Sequence, residues 1–217
     1  MSEAVEDYLK TIYVLRASGK PATTSRIAGR LGVAAPSVSA MVRRLASIDL
    51  LKAPDRRGVE LTTHGERHAL MIVRRHRLLE TYLAQALAVP WDEVHAEAEI
   101  LEHALSDRLA DRIDDALGNP TRDPHGDPIP PRSGIHAEDW GDPLESAPPG
   151  SHFLVQRVSD RDSDALRYLG ELGIRPGVRL SVEDRAPFGG PLWVSLDGQR
   201  HALGTGLIRL IYGTDQP

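Results

Sequence analysis

Eight of the sixteen prolines fall between residues 119 and 150, at positions 120, 124, 128, 130, 131, 143, 148 and 149. Proline locks φ and lacks an amide donor, so neither a helix interior nor a central strand survives such a stretch. The 217-residue chain is thereby divided before any other pattern is considered. Residues 1–118 carry the apolar period of helices, and residues 151–213 carry short alternating segments bounded by turn residues. The expected class is mainly α with a small β domain.

In the helical part the spacing predicts a first helix over about 2–17, with Val5, Tyr8, Leu9, Ile12 and Leu15 on one face. Ser18 and Gly19 stop it. A short helix over about 24–31 buries Ile27 and Leu31 and ends at Gly32. A third begins near Pro36, where the missing N–H costs nothing, and buries Val38, Met41, Val42, Leu45 and Ile48. Leu51 to Ala53 and Val59 to Leu61 then flank a basic tip, Pro54-Asp55-Arg56-Arg57-Gly58. Helix, turn, helix and basic hairpin together are a winged helix-turn-helix. In that arrangement the third helix enters the major groove and the wing touches phosphate.

Charge agrees with this placement. Residues 1–75 hold 13 Lys+Arg against 7 Asp+Glu, a balance of +6, whereas residues 76–217 hold 13 against 24, a balance of −11. The sum is the net −5 of the whole chain. A basic N-terminal third suits phosphate binding. Charge alone leaves open a solvated surface, and the helices alone leave open a three-helix scaffold that binds protein.

A long fourth helix is predicted over about 63–89, opened by a capping box between Thr63 and Glu66. A fifth is predicted over about 91–117, with Val94, Ala98, Leu101, Leu105, Leu109 and Ile113 as its apolar stripe and Gly118-Asn119 as its end. Asp164 to Leu172 reads as one short helix, and Leu192 to Leu196 followed by Asp197-Gly198 reads as a hairpin. A small SH3-like barrel fits the last region.

Two of these helices carry histidines and carboxylates in phase. His76 and Glu80 are four apart on the fourth; His95, Glu99, Glu102 and His103 share a face of the fifth. The chain has no cysteine, so disulfides are excluded and any metal is held by oxygen and nitrogen. Such a set suits manganese, iron(II) or zinc, and its oxygen-rich character leans toward manganese. The alternative at this point is a pair of solvated acidic helix faces. A di-metal oxidase would need a Glu-x-x-His motif on each of two helices, and neither Glu99 nor Glu80 begins one. A peptide-binding adaptor is poorly served by two Phe and three Trp. No apolar run approaches the ~18 residues of a membrane span, and residues 1–9 lack a signal-peptide core, so a cytosolic, membrane-free protein is expected.

The chain resembles the diphtheria-toxin-repressor family of metalloregulators in its three-domain, manganese-responsive form. The resemblance is carried by Glu6 to Tyr13, by Arg74 to Glu80, by Val94 to His103, by Asn119-Pro120 and by Pro124 to Pro130. It implies a DNA-binding domain at 1–62, a helical dimerisation and metal domain at 63–124, a Pro-rich linker at 125–150 and an SH3-like domain at 151–217. It also implies a homodimeric, non-enzymatic repressor that grips palindromic operator DNA when Mn(II) is bound. Fe(II) is the alternative within the family, and a carboxylate/histidine metalloenzyme is the weaker alternative outside it.

By the same resemblance the primary site is Asp7, His76, Glu99, Glu102 and His103. Iron-responsive members place methionine and cysteine where Asp7 and Glu99 stand here. Two-domain manganese regulators place a glutamate at Lys10, so their paired-ion site is not expected. The ancillary site is expected at Glu80, Asp123, His125 and Asp160, with His95 and Asp162 in reserve; the iron-type ligand near Asp162 is joined by Ala165, which cannot coordinate. A base-reading glutamine of some members is Ala40 here, so Pro36 and Ser37 are left to meet thymine methyls. Thr24, Ser25, Ser39, Arg43, Arg56 and Arg57 are expected on phosphate.

Overall fold

The computed structural model describes residues 2–53, 58–134 and 141–216. Its chain divides into two compact units. The first comprises Met1–His76, Glu99–Arg112 and Ile129–Glu138; the second comprises Arg77–Ala98, Ile113–Pro128 and Asp139–Pro217. Among the described residues, no helix is long and apolar enough to cross a membrane.

In the first unit, α1 (Glu3–Ala17) buries the expected Val5, Tyr8, Leu9, Ile12 and Leu15. α2 (Thr24–Leu31) is capped by Thr23, whose hydroxyl oxygen accepts from Arg26 N, and is closed by left-handed Gly32. α3 (Ala35–Ser47) has Pro36 in its first turn and buries Val38, Val42 and Leu45. Leu9, Ile12, Ile27, Val38 and Leu45 are wholly buried and hold the three helices together. Ile48, expected in this core, lies past the helix end and is 53% exposed. Leu51 pairs with Leu61, and Lys52 N donates to Glu60 O at 2.9 Å, which forms the wing's base. Arg56 and Arg57 lie outside the described residues.

α4 spans Thr63–Leu87. Its cap is Thr62 rather than Thr63: the Thr62 hydroxyl accepts from Gly65 N at 3.0 Å and donates to Asp49 O at 2.7 Å. The predicted fifth helix is two helices, α5 (Val94–Leu101) and α6 (Asp107–Ala116). Ser106 accepts from Leu109 N and starts α6 as an N-cap, so residues 102–106 are released from the helical ladder. Leu101 and Leu109, placed in its apolar stripe by sequence, are exposed along with Ile100.

The second unit is built on a six-stranded antiparallel sheet ordered β1-β6-β2-β3-β4-β5. The strands are β1 (Asp142–Pro143), β2 (His152–Val158), β3 (Arg179–Arg185), β4 (Leu192–Leu196), β5 (Gln199–Leu203) and β6 (Ile211–Gln216). Asp197 and Gly198, both at positive φ, turn β4 into β5. α7 (Ser163–Glu171) packs Leu166 and Leu169 onto the sheet beside Phe153, Leu180 and Val194; α8 (Thr205–Ile208) adds Ile208.

The described residues of 125–150, expected as a linker, include packed ones. Leu144, in a single 3-10 turn after β1, is fully buried, and Asp123, His125 and Asp127 are buried too. Prolines forbid ladders, not packing. Here the Asp123 carboxylate supplies the acceptor a ladder would have given, taking hydrogen bonds from His125 N and Asp127 N, both at 2.9 Å.

Candidate metal centres and nucleic-acid face

In the first unit α1, α4 and the turn after α5 bring one set of donors together. Asp7 Oδ1 lies 3.0 Å from His103 Nε2, and His76 Nδ1 lies 2.5 Å from Glu102 Oε2 and 3.9 Å from Glu99 Oε1. Asp7, Glu102 and His103 offer donor atoms within 4.8 Å of one another, as do His76, Glu99 and Glu102. Glu102 belongs to both groups and is fully buried. All five expected residues therefore meet, although not through helical phase. Glu102 and His103 stand in the turn, where the broken ladder frees them to face α1.

Two further residues complete this centre. Glu6 accepts from His103 Nδ1 at 2.8 Å, which leaves Nε2 turned toward Asp7 and Glu102. Lys10 donates to Glu99 at 2.7 Å and to Glu102 at 2.6 Å. Glu6 went unnoticed in sequence; its signal is the four-residue spacing to Lys10, which puts both beside Asp7 on the same helix. Burial works against the charge on Glu102, yet His76 and Lys10 hold its carboxyl below the usual range. Burial pushes Asp7 up, only partly offset by His103 and Lys10. Burial likewise opposes charge on His103, but the hydrogen bond to Glu6 and the surrounding carboxylates raise it. The donor set of carboxylate oxygens and imidazole nitrogens, without sulfur, fits a hard or borderline divalent cation.

The second centre lies within the second unit. Glu80, Asp123 and His125 are buried and offer donors within 4.8 Å of one another; Glu80, His95 and Asp160 do the same. His95 Nδ1 is 3.1 Å from Glu80 and 3.2 Å from Asp160. His95, held in reserve by sequence, thus belongs in the cluster. Asp162 does not: it caps α7, its carboxylate accepting from Ala165 N at 3.0 Å.

His125 supplies the test of fit. Its Nε2 donates to Trp91 O at 2.7 Å, so in the neutral ring Nδ1 carries a lone pair. That Nδ1 is buried without a hydrogen-bond partner, 3.8 Å from Glu80 Oε1. A buried acceptor of this kind fits a cation held beside Glu80 and Asp123. Its neighbours carry excess negative charge. Burial, then Glu80 and Asp127, push Asp123 well above the ordinary carboxylate range. Burial opposes ionisation of Asp160, but His95 outweighs it and holds that carboxyl low; His95 itself is pushed up to about 10.

The loop carrying Asp123 and His125 is fixed to β2. Val158 N donates to His125 O at 2.8 Å, and Arg157 Nε donates to Asp127 Oδ1 at 2.7 Å. Gly126 sits at φ +91° with its position for a Cβ only 2.0 Å from Gln156 O, so no side chain fits. Arg77 of α4 donates to both Asp127 and Pro128 O.

On the nucleic-acid face, Ser25, Pro36, Ser37 and Arg43 are exposed, and Thr24 and Ser39 are half-buried. The Ser39 hydroxyl donates back to Ala35 O at 3.2 Å, which leaves only its oxygen lone pairs for DNA. Exposed Arg30 and Arg44 extend the basic surface of α2 and α3 beyond the residues expected.

A winged helix joined to helices that gather carboxylates and imidazoles defines a DNA-binding regulator answering to a metal ion. The comparisons agree along the chain. Residues 1–59 match the N-terminal DNA binding domain of iron dependent repressors, 62–131 their metal binding and dimerisation domain, and 143–214 the FeoA domain. The iron-dependent repressor IdeR of Mycobacterium leprae is 36% identical over 194 residues, covering 83% of this chain and 84% of that protein. A solved manganese-dependent transcriptional repressor in complex with manganese superposes with a TM-score of 0.91 at 42% identity, covering 98% of this chain and 100% of that one. ScaR with bound Zn2+ superposes at 0.84 with 32% identity, over 98% and 99%. The chain belongs to the iron-dependent repressor family and is a metal-dependent transcriptional repressor, with an SH3-like FeoA domain at its C-terminal end.

Proposed function

We propose that the activating ion is Mn(II), held by Asp7, His76, Glu99, Glu102 and His103, and that Glu80, Asp123, His125, Asp160 and His95 form a second centre. The observation that carries this reading is the convergence of three carboxylates on two imidazoles in a chain without cysteine. Where soft sulfur is absent, the preference for iron(II) over manganese that a thioether or thiolate confers is absent too. The relative whose solved structure contains manganese is similar along the whole chain, which supports the same choice.

In this mechanism α1 brings Asp7 to the donors from α4 and the turn after α5. A bound divalent cation supplies the positive charge that three clustered carboxylates lack. Glu6 keeps the His103 ring oriented, and burial of Glu102 excludes competing water. Asp7 then ties the helix that opens the DNA-binding domain to the metal domain, which favours one setting of the reading heads. Activation requires only that the ion bind this setting more tightly than others. Two such heads in a homodimer would meet successive major grooves of a palindromic operator. Exposed Ile100, Leu101 and Leu109 supply apolar surface that a second copy would cover.

The test is fluorescence anisotropy of metal-free protein on a palindromic operator from its own upstream region, with Mn(II), anaerobic Fe(II), Zn(II) or chelator. Tight, salt-sensitive binding with Mn(II) that chelator abolishes is expected. Tighter binding with Fe(II) would keep the repressor and reject the hard-ligand argument for manganese.

A further inference from the structure

Outside both centres, α4 begins with a second arrangement of imidazoles. His64 and His68, four residues apart, point their Nε2 atoms at each other across 3.1 Å, with ring centroids 4.8 Å apart and planes tilted by 59°. Two facing ring nitrogens can share one proton, and whatever shares it occupies the place of a small cation. With metal–nitrogen bonds of about 2.0–2.1 Å, two nitrogens in adjacent coordination positions stand about 2.8–3.4 Å apart. The observed separation falls inside that bite, so chelation asks the two rings to turn toward a common point and not to change their spacing.

The backbone beneath the pair is fixed. Thr62 caps this turn through Gly65 N, and Gly65 presses on Leu50 O so closely that a Cβ would lie 2.0 Å from it. His64 is exposed, leaving water free to fill the remaining coordination positions. Burial and then the neighbouring His64 depress His68 below the ordinary imidazole value, which keeps it neutral and able to donate a lone pair.

We propose that His64 and His68 form a separate surface centre for a late first-row divalent cation, zinc, nickel or copper(II), and not for manganese. Two imidazoles without a carboxylate follow the order in which affinity rises from manganese toward copper, so the manganese proposed for the primary centre is the weakest candidate here.

The experiment uses full-length protein first saturated with Mn(II), then titrated with Zn(II). Zinc bound per protomer is counted by equilibrium dialysis, and histidine side-chain 15N resonances are followed in parallel. The expected result is one zinc fewer in H64A/H68A than in the parent, with His64 and His68 resonances shifting together in the parent. The single variant H64A, altered at an exposed position, should show the same loss and controls for folding. Equal zinc in parent and variants, or His64 and His68 resonances that stay fixed while zinc binds, would overturn the proposal.

Discussion

Lys10 Nζ stands 2.7 Å from Glu99 Oε1 and 2.6 Å from Glu102 Oε1, so an ammonium already bridges two of the carboxylates assigned to the ion. Its own position is half-way between solvent and core: the Lys10 side chain is 13% exposed, Glu102 not at all. The protein thus holds part of the charge compensation itself before any metal arrives.

Replacing that ammonium should separate folding from metal binding. Lys10→Met is expected to lower the stability of chelated protein by about 1–3 kcal/mol, below the roughly 3–5 kcal/mol of a fully buried pair because Glu99 is partly exposed. Manganese should restore more of the melting temperature in the variant than in the parent. Equal melting temperatures of the two chelated proteins would remove Lys10 from this role.

Asp7 contributes through a partly exposed carboxylate, so its loss should spare the fold. Asp7→Ala is expected to raise the Mn(II) concentration needed for operator binding by at least about tenfold, equal to ~1.4 kcal/mol, with dimer and circular dichroism unchanged. Glu6→Gln, which touches the metal only through His103, should cost about 10–100-fold in Mn(II) affinity. Unchanged metal dependence in Asp7→Ala would detach α1 from the sensor.

Gly126 offers a route to the second centre from outside its donors. A methyl group at this position collides with Gln156 O and strains a backbone at φ +91°. Gly126→Ala should displace the loop bearing Asp123 and His125 and remove one bound metal per protomer, measured by dialysis and elemental analysis. Arg157→Met should do the same, with an added loss of about 1–3 kcal/mol in denaturant unfolding, less than for an uncompensated buried charge because Arg77 still pairs with Asp127. Full metal occupancy in both variants would count against the assignment of His125 and Asp123.

The pH dependence of metal-free protein follows from His95. Its pKa rises from 6.5 to about 10 on folding, against the opposing effect of burial, through Asp160 and Glu80. A raised pKa means stability fully present below 6.5 and lost as pH climbs through about 10. Chelated parent should therefore lose more unfolding free energy between pH 6.5 and 9 than His95→Gln. Identical slopes would show that His95 is not charged in the fold.

Much of this was legible because it rests on local rules. The face of α1, the bounds of α2 and the Asp197-Gly198 turn follow from period, capping and φ alone. The convergence of the proposed donors follows from resemblance more than from spacing, since Glu102 and His103 reach Asp7 from a turn and not from one helical face. The break before α6 was announced by Ser106-Asp107, a capping pair overridden by a continuous apolar stripe. Ile48 and Leu109 were misplaced because a period marks a face without saying where the helix stops or whether that face is covered. The packing of the Pro-rich stretch was least legible: Asp123 serves two amides only two and four residues on, but the loop they shape also depends on Gly126 meeting Gln156, a partner that composition cannot name.

The bond from Val158 N to His125 O has a consequence for how such a chain can be shortened or recombined. The strand that supplies this amide also supplies Arg157, and the residue two beyond it is Asp160. The part of the proposed donor set that comes from this loop and from the chain just past the strand it leans on cannot be separated from that strand. Trimming the β-rich end would not yield a simpler sensor with one appendage fewer; it would leave Asp123 and His125 on an unsupported loop. Any exchange of C-terminal ends between relatives therefore has to carry the loop and β2 as one heritable piece, and a crossover before Arg122 keeps that piece intact only if the other parent supplies Glu80 and His95 to meet it.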